Sequence, residues 1–217
     1  MWNSTAEELG QRQRVFCASM ADVFEKRKEL DSSRDRLWTL IGATPWLDWL
    51  LLTKRPQHVL SLVPWANSWP SNVWLGATVE NEKWAAERLP FLIDCPAIVR
   101  FVSCEPLLGR IDLQPWISSI HWVIAGGESG GRARPSHPAW FRQLRNDCED
   151  AGVPFLFKQW GNWSPARSGG SDNVAVRDPA TEVALMTRSS KRAAGRRLDG
   201  STWDAVPDLS DRQSLAA

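Results

Sequence analysis

The chain has 217 residues, of which 43% are hydrophobic and 24% charged, and this composition excludes wholesale disorder, a fibre and a disulfide-dense mini-protein. Twenty-six basic residues against 25 acidic ones give a net charge of +1, so no global field draws the protein to nucleic acid or to an anionic membrane. The longest apolar run, 46–52, is interrupted by Asp48 and is far shorter than the roughly 20 residues of a membrane span. Because the first residues are polar and carry no secretory signal, we predict a cytoplasmic protein with no membrane segment.

Short apolar runs alternate along the chain with segments of helical periodicity. Near-continuous apolar strands alternating with amphipathic helices are typical of a parallel sheet covered by helices. We therefore predict an α/β fold in which six βα units fill residues 12–163. The predicted strands are 15–18, 49–52, 73–75, 98–102, 122–124 and 155–157, and the predicted helices are 35–41, 56–63, 82–93 and 138–151.

Local residues predict where several elements begin and end. Residues 31–33, Asp-Ser-Ser, are N-cap candidates for the first predicted helix. Gly152 is expected to end the last helix, and Pro154 to precede the next strand. From Ser164 onward the alternation disappears, so we predict a loop-rich, partly ordered tail over 164–217. One turn with a tryptophan anchor is expected at 198–203.

Charged or hydrogen-bonding residues follow each predicted strand. Because the carboxyl ends of parallel strands lie on one side of a sheet, these residues are expected around one opening. Crowded charges of both signs shift one another's pKa values and suit acid–base chemistry or a zwitterionic ligand. We predict a site for a small polar ligand, although each cluster taken alone also fits a solvated turn. The strand-end candidates are Ser19, Asp22, Lys54, Arg55, Thr78, Glu80, Ser103, Glu105, Glu128, Ser129 and Lys158.

Glycines, arginines and a tryptophan near the last two strands extend this prediction. Gly126 and Gly127 remove side chains where a ligand could approach the backbone. Arg132 and Arg134 follow in a loop and are candidates for holding a carboxylate or phosphate. Trp160 either packs in the core or covers a ligand. The four cysteines, Cys17, Cys95, Cys104 and Cys148, lack metal-ligand spacing, so no metal site is predicted and reduced thiols are expected.

Six segments in fixed order carry a family resemblance, and together with 195–203 they span about residues 12–207. They resemble the phage-associated three-Cys-motif protein family, which occurs in phages and bacterial genomes and lacks an established function. Members of that family resemble radical S-adenosylmethionine enzymes. The resemblance implies a partial, TIM-like (β/α) barrel of six to seven parallel strands with an irregular C-terminal tail. The segments are 15–24, 50–56, 74–80, 103–107, 125–130 and 157–161.

In complete members the resemblance implies S-adenosylmethionine and a [4Fe–4S] cluster held by three cysteines that follow the first strand. No such loop precedes residue 12, so we expect a form that lacks the first βα unit and holds no cluster by itself. Three explanations are open: a gene model begun at an internal Met, a real truncation, or a second chain that supplies the unit.

The resemblance also assigns roles to the candidates. Gly126, Gly127, Glu128, Ser103 and Glu105 would hold the amino-acid end or ribose of the cofactor, while Lys54, Arg55 and Lys158 would face the substrate. Catalysis is assigned to Lys54, Glu105, Glu128 and Lys158; cofactor binding to Ser19, Asp22, Thr78, Glu80, Ser103, Gly126, Gly127 and Ser129; and substrate or phosphate binding to Arg55, Arg132, Arg134 and Trp160.

Three functions compete, and the ordered segments favour the first. It is a radical-type enzyme that is complete only with its missing unit. The second is a non-radical enzyme that uses Glu105 and Glu128 as acid and base. The third is a non-catalytic module that binds a nucleotide or nucleic acid through the arginine loop and the basic segment with Arg188, Lys191, Arg192, Arg196 and Arg197.

Overall fold

The structure is a computed structural model that describes residues 1–18, 20–66, 68–166 and 173–209. These residues group into two compact units. Met1–Thr78 and Arg88–Phe101 belong to the first unit, whereas Val79–Glu87 and Val102–Pro207 belong to the second.

A six-stranded parallel sheet runs through the chain with its strands in sequence order. Each strand overlaps a predicted apolar run, and the residues of β2, β3 and β5 are almost all buried, as expected for parallel strands covered on both faces. The prediction of an α/β fold with six parallel strands is therefore confirmed. The strands are β1 (Gln13–Cys17), β2 (Leu47–Thr53), β3 (Val73–Thr78), β4 (Val99–Cys104), β5 (Trp122–Gly126) and β6 (Phe155–Gln159).

Helices separate most of the strands as the periodicity predicts, and a short helix precedes β1. Between β4 and β5 the chain forms only a 3-10 turn at Ile117–Ser119. None of the helices in the described residues is long and apolar enough to cross a membrane. Gly152 ends α5 as predicted, with φ of 65° and its N–H bonded to the Cys148 and Glu149 carbonyls, the left-handed termination that glycine favours. The helices are α1 (Trp2–Glu8), α2 (Asp31–Ala43), α3 (Val59–Leu62), α4 (Glu82–Ile93) and α5 (Pro138–Ala151).

The start of α2 differs from the prediction. The N-cap position is Leu30, with no side-chain cap, because a turn of 3-10 helix at Lys28–Leu30 leads directly into the helix. Asp31 instead pairs with Arg34, a side chain only 6% exposed. The prediction of an Asp-Ser-Ser N-cap is therefore wrong, since these residues already lie inside the helix.

Within the described residues, the tail contains strands and a helix that the sequence did not predict. It contains a second, antiparallel sheet in the order β7-β9-β8, made of β7 (Trp163–Pro165), β8 (Asn173–Val176) and β9 (Ala184–Arg188), and a short helix, α6 (Lys191–Ala194). The strands were missed because they are short and because buried and exposed residues are interspersed along them, so no apolar run marks them.

The predicted turn at 198–203 is confirmed, and it leads into a segment that covers the free side of β6. Leu198 and Ser201 bridge, and the Trp203 ring packs against Phe155. The Trp203 carbonyl then accepts from the Phe157 N–H at 2.9 Å. The segment after the turn thus protects β6, whereas β1, among the described residues, pairs with β2 alone, and Phe16 is 47% exposed.

Candidate functional site

A cavity of about 510 Å³ lies in the first unit, where β1, β2 and β3 end. Asp22, Lys54, Arg55 and Thr78 contribute its polar lining, and Phe16 with Leu52 contributes an apolar part. This volume is in the range of small-molecule sites, and the carboxyl ends of parallel strands are where α/β proteins bind ligands.

Asp22 organises the wall of this cavity. Its carboxylate accepts hydrogen bonds from the backbone N–H of Phe24 at 3.0 Å, the Thr53 hydroxyl at 2.8 Å, the Lys54 N–H at 3.0 Å and an Arg55 guanidinium nitrogen at 3.0 Å. Four donors occupy the acceptor positions of a carboxylate. Asp22 therefore ties the loop after β1 to the end of β2 and orients Arg55, which makes it a positioning residue.

Glu25 belongs to the same cavity and was missed in the sequence. Its carboxylate lies 3.5 Å from the second terminal nitrogen of Arg55, and its side chain is 35% exposed. It lies in the loop well beyond the end of β1, so the strand-end rule did not select it. With Glu25 included, two carboxylates face Lys54 and Arg55, and the lining has no formal net charge.

In the second unit, Glu105 and Lys158 form an ion pair. The Lys158 ammonium lies 3.1 Å from a Glu105 carboxylate oxygen, and the Ser103 hydroxyl lies 3.4 Å from the other oxygen. Gly126 adjoins this pair, since a Cβ at Gly126 would lie 2.8 Å from the Glu105 carboxylate. Gly126 therefore makes room for Glu105, which corrects the prediction that it leaves space for a ligand.

The space beside Gly127 is also occupied by other atoms of the protein. A Cβ there would lie 2.0 Å from the Trp160 carbonyl oxygen, and a Cβ at Gly161 would lie 2.1 Å from the Glu128 carbonyl oxygen. The Gly127 N–H donates to the Gln159 carbonyl at 2.8 Å. The two glycines allow the backbones after β5 and β6 to touch, so the prediction that Gly127 opens a ligand space is wrong.

Glu128 is held by the loop that follows it. The Arg134 guanidinium donates to both carboxylate oxygens at 2.9 and 2.7 Å, and the Arg134 N–H adds a bond of 2.7 Å. These bonds lower the pKa of Glu128 below its ordinary range. A general acid must hold its proton near neutral pH, so Glu128 does not suit that role, and Arg134 is paired with Glu128 while 61% exposed.

The other candidates near the second unit's strand ends are divided between core and surface. Trp160 is 5% exposed, and its ring packs against Phe141 and Phe157. Trp160 is therefore a core residue, which corrects its assignment as a ligand contact. Ser129 accepts from the Gln159 amide at 3.2 Å, Glu80 is buried, and Arg132 is exposed. Of the candidates after β1, Ser19 lies outside the described residues.

The basic segment of the tail is only partly open to a partner. Arg188 donates to the Gly131 carbonyl and lies over the Trp163 ring at 5.6 Å. Arg196 pairs with Asp204. Lys191 and Arg192, in the first turn of α6, are exposed.

The cysteines do not suit an iron–sulfur cluster. Cys95, Cys104 and Cys148 are buried, and burial raises the pKa of Cys95 to about 11 and that of Cys148 to about 12. Burial also raises the pKa of Cys17. Clusters are held by thiolates, and no cluster of three or more histidine, cysteine or acidic side chains suited to a metal occurs in the described part of the chain. These residues therefore do not fit a [4Fe–4S] cluster.

The sheet and the cavity define a parallel α/β protein with a ligand-sized opening at the carboxyl ends of its first strands. The chain belongs to a family described as "Protein of unknown function (DUF5131)", whose match covers residues 2–207. No curated protein and no solved structure matches the chain.

Proposed function

We propose that this chain binds a small polar ligand that carries charges of both signs, and that it does so as a partial (β/α) barrel related to radical S-adenosylmethionine enzymes. The observation that carries the proposal is the cavity of about 510 Å³ lined by Lys54, Arg55, Asp22 and Glu25. Its balanced charges favour a zwitterion over a simple anion.

The lining residues have different parts in binding. Lys54 and Arg55 supply cations for a carboxylate of the ligand. Asp22 is saturated by four donors, so Glu25, more distant from Arg55, is the acceptor for an ammonium group. Phe16 and Leu52 provide contact for an apolar portion of the ligand.

S-adenosylmethionine has an α-amino-acid end of this zwitterionic kind. The resemblance to the three-Cys-motif family of phages assigns the amino-acid end or the ribose to Gly126, Gly127, Glu128, Ser103 and Glu105. Because the space beside the two glycines is filled, we place the amino-acid end in the cavity at the ends of β1 and β2. Since the cysteines do not fit the cluster, this chain alone binds such a ligand without cleaving it reductively.

Binding of S-adenosylmethionine, measured by isothermal titration calorimetry, tests the proposal. 5′-Methylthioadenosine lacks the amino-acid end and should bind at least about tenfold more weakly. Lys54→Met should weaken S-adenosylmethionine binding by about 10- to 100-fold, because a hydrogen bond to a charged group contributes about 1.5–3 kcal/mol.

Lys158→Met is the matched control, since it removes the same charge from the Glu105 pair in the second unit. It should leave the affinity unchanged. Equal affinity of the wild type and Lys54→Met, or no binding of S-adenosylmethionine at millimolar concentration, would refute the proposal.

A second candidate is binding of a nucleotide or nucleic acid, which the exposed Lys191 and Arg192 favour. Phosphate contacts make such binding fall steeply with salt. Fluorescence anisotropy with a labelled single-stranded oligonucleotide should show this slope, and replacing both residues by alanine should reduce the slope of log K against log salt concentration by about 1.4. Absence of binding at low salt would exclude this candidate.

A further inference from the structure

A second cavity, of about 450 Å³, lies in the first unit between the loop after β1 and helix α2. Cys17, Val23, Leu30 and Leu37 contribute apolar surface to it. The loop residues Ala18, Met20, Ala21, Asp22 and Glu25 line this second cavity and the polar cavity alike. These five residues therefore contribute to the walls of both cavities.

The main polar groups in this wall are already satisfied. The buried Arg34 guanidinium donates to the carbonyls of Val23 at 3.3 Å, Glu25 at 2.9 Å and Arg27 at 3.1 Å, and it pairs with Asp31. Asp22 has its four donors. Glu25, Arg27 and Ser33 also line the cavity. The apolar surface offered to a ligand comes from Cys17, Ala18, Ala21, Val23, Leu30 and Leu37.

Backbone strain lies in the same wall. Ala18 has φ of 55°, a left-handed conformation that costs a non-glycine residue about 1–2 kcal/mol. Strained residues of this kind cluster at ligand sites, where the surrounding structure holds them in place. This strained residue lines both cavities.

We propose that the second cavity binds a small uncharged group of aromatic size. Its volume is in the range of small-molecule sites, about 300–1,000 Å³, and the sulfur of Cys17, a partly exposed lining residue, makes favourable contacts with aromatic rings. This inference goes beyond the zwitterion site and does not depend on it, because an uncharged probe can be tested without a zwitterion.

Cys17 is a built-in reporter for the test. It is partly exposed, whereas the other three cysteines are buried, so alkylation by iodoacetamide at pH 9 should modify Cys17 first. Indole is the uncharged probe. At saturation it should slow the alkylation of Cys17 at least about threefold, as followed by mass spectrometry of the full chain.

Two matched substitutions on α2 test whether indole protects Cys17 by binding in the second cavity. Leu37→Trp places a larger side chain in the wall of the second cavity and should abolish protection by indole, whereas Leu40→Trp makes the same change at an exposed position outside it and should preserve protection. Unchanged alkylation at the highest soluble indole concentration, or equal protection in both variants, would overturn the proposal.

Wild-type protein provides a second measurement in case Leu37→Trp does not fold. In ¹⁵N NMR spectra, indole should shift the amide signals of Cys17, Ala21 and Leu37 together and leave those of Glu105 and Lys158 unchanged. Shifts without this pattern would contradict the site.

Failure of S-adenosylmethionine binding with intact protection of Cys17 by indole would refute only the zwitterion proposal. The reverse result would refute only this inference.

Discussion

The ends of β1 and β2 and the ends of β5 and β6 have the same sequence pattern and different structures. After β1 and β2, Asp22, Thr53 and Arg55 bond to one another around a cavity. After β5 and β6, Gly127 and Gly161 bring the backbones into contact, and Glu128 is paired with Arg134. Polar residues at a strand end therefore indicate the edge of a sheet. Whether a cavity lies beside that edge depends on how closely the surrounding backbone packs there.

Gly127→Ala gives the largest expected effect because its Cβ would meet a backbone carbonyl at 2.0 Å, which no rotamer change can relieve. Overpacking of this kind costs about 3 kcal/mol of the free energy of unfolding, to be measured by urea denaturation. Gly131→Ala is the control, since nothing lies within 4 Å of its Cβ, and it should change stability by less than about 1 kcal/mol. Similar stabilities of the two variants would show that the ends of β5 and β6 are not closely packed.

Asp22→Asn tests the hydrogen bonds around the cavity at the ends of β1 and β2. The substitution removes the charge paired with Arg55 and turns an amide N–H₂ toward donors such as the Lys54 N–H. We expect a loss of about 2 kcal/mol in urea denaturation, because a hydrogen-bonded group is left without its partner.

The control for Asp22→Asn is Glu87→Gln, which removes one charge of an exposed pair with Lys83 at 3.9 Å. It should cost less than about 0.5 kcal/mol. If both variants lost the same small amount, Asp22 would not be the organising residue of the cavity wall.

The main sheet could be predicted because its strands are buried on both faces and are therefore continuous apolar runs. The small sheet of the tail could not, since strands such as β8 and β9 are short and expose Val174 and Leu185. The start of α2 was missed for a different reason. It follows directly from the 3-10 turn at Lys28–Leu30, and Arg34 holds the preceding loop through the carbonyls of Val23, Glu25 and Arg27, a contact that no local motif encodes.

The sequence predicted some residues of the candidate site and not others. The strand-end rule selected Asp22, Lys54, Arg55 and Thr78, which line one cavity. It could not show that Glu105 fills the space beside Gly126, because that residue comes from another strand. The strand-end rule also did not select Glu25, because Glu25 lines the cavity from the middle of a loop.

Ala18→Gly, at the open end of the sheet after β1, is expected to raise stability, unlike the substitutions above. Glycine adopts a φ of 55° without the steric cost of a Cβ, so the variant should gain about 1 kcal/mol in urea denaturation. The gain should be accompanied by weaker protection of Cys17 by indole, if the strained loop is needed to shape the second cavity. A destabilised Ala18→Gly variant would contradict the left-handed conformation.

The smallest expected effect belongs to the Glu128–Arg134 pair, and its pH dependence has a defined sign. The pKa of Glu128 is lowered by the Arg134 hydrogen bonds, so the pair stabilises the folded state above the pKa of an unfolded glutamate, about 4.3, and loses this contribution as the pH falls through the lower folded value. Because Arg134 is 61% exposed, Arg134→Met should cost less than about 1 kcal/mol at pH 7.

Urea denaturation of the wild type and Arg134→Met between pH 7 and pH 3 measures this dependence. The difference in unfolding free energy should shrink as the pH falls, and 0.5 M salt should reduce it at pH 7, because exposed charges are screened. A difference that persists unchanged at pH 3 would mean that Arg134 stabilises the loop by packing, so that the closed end of the sheet depends on Gly127 and Gly161 and not on the ion pair.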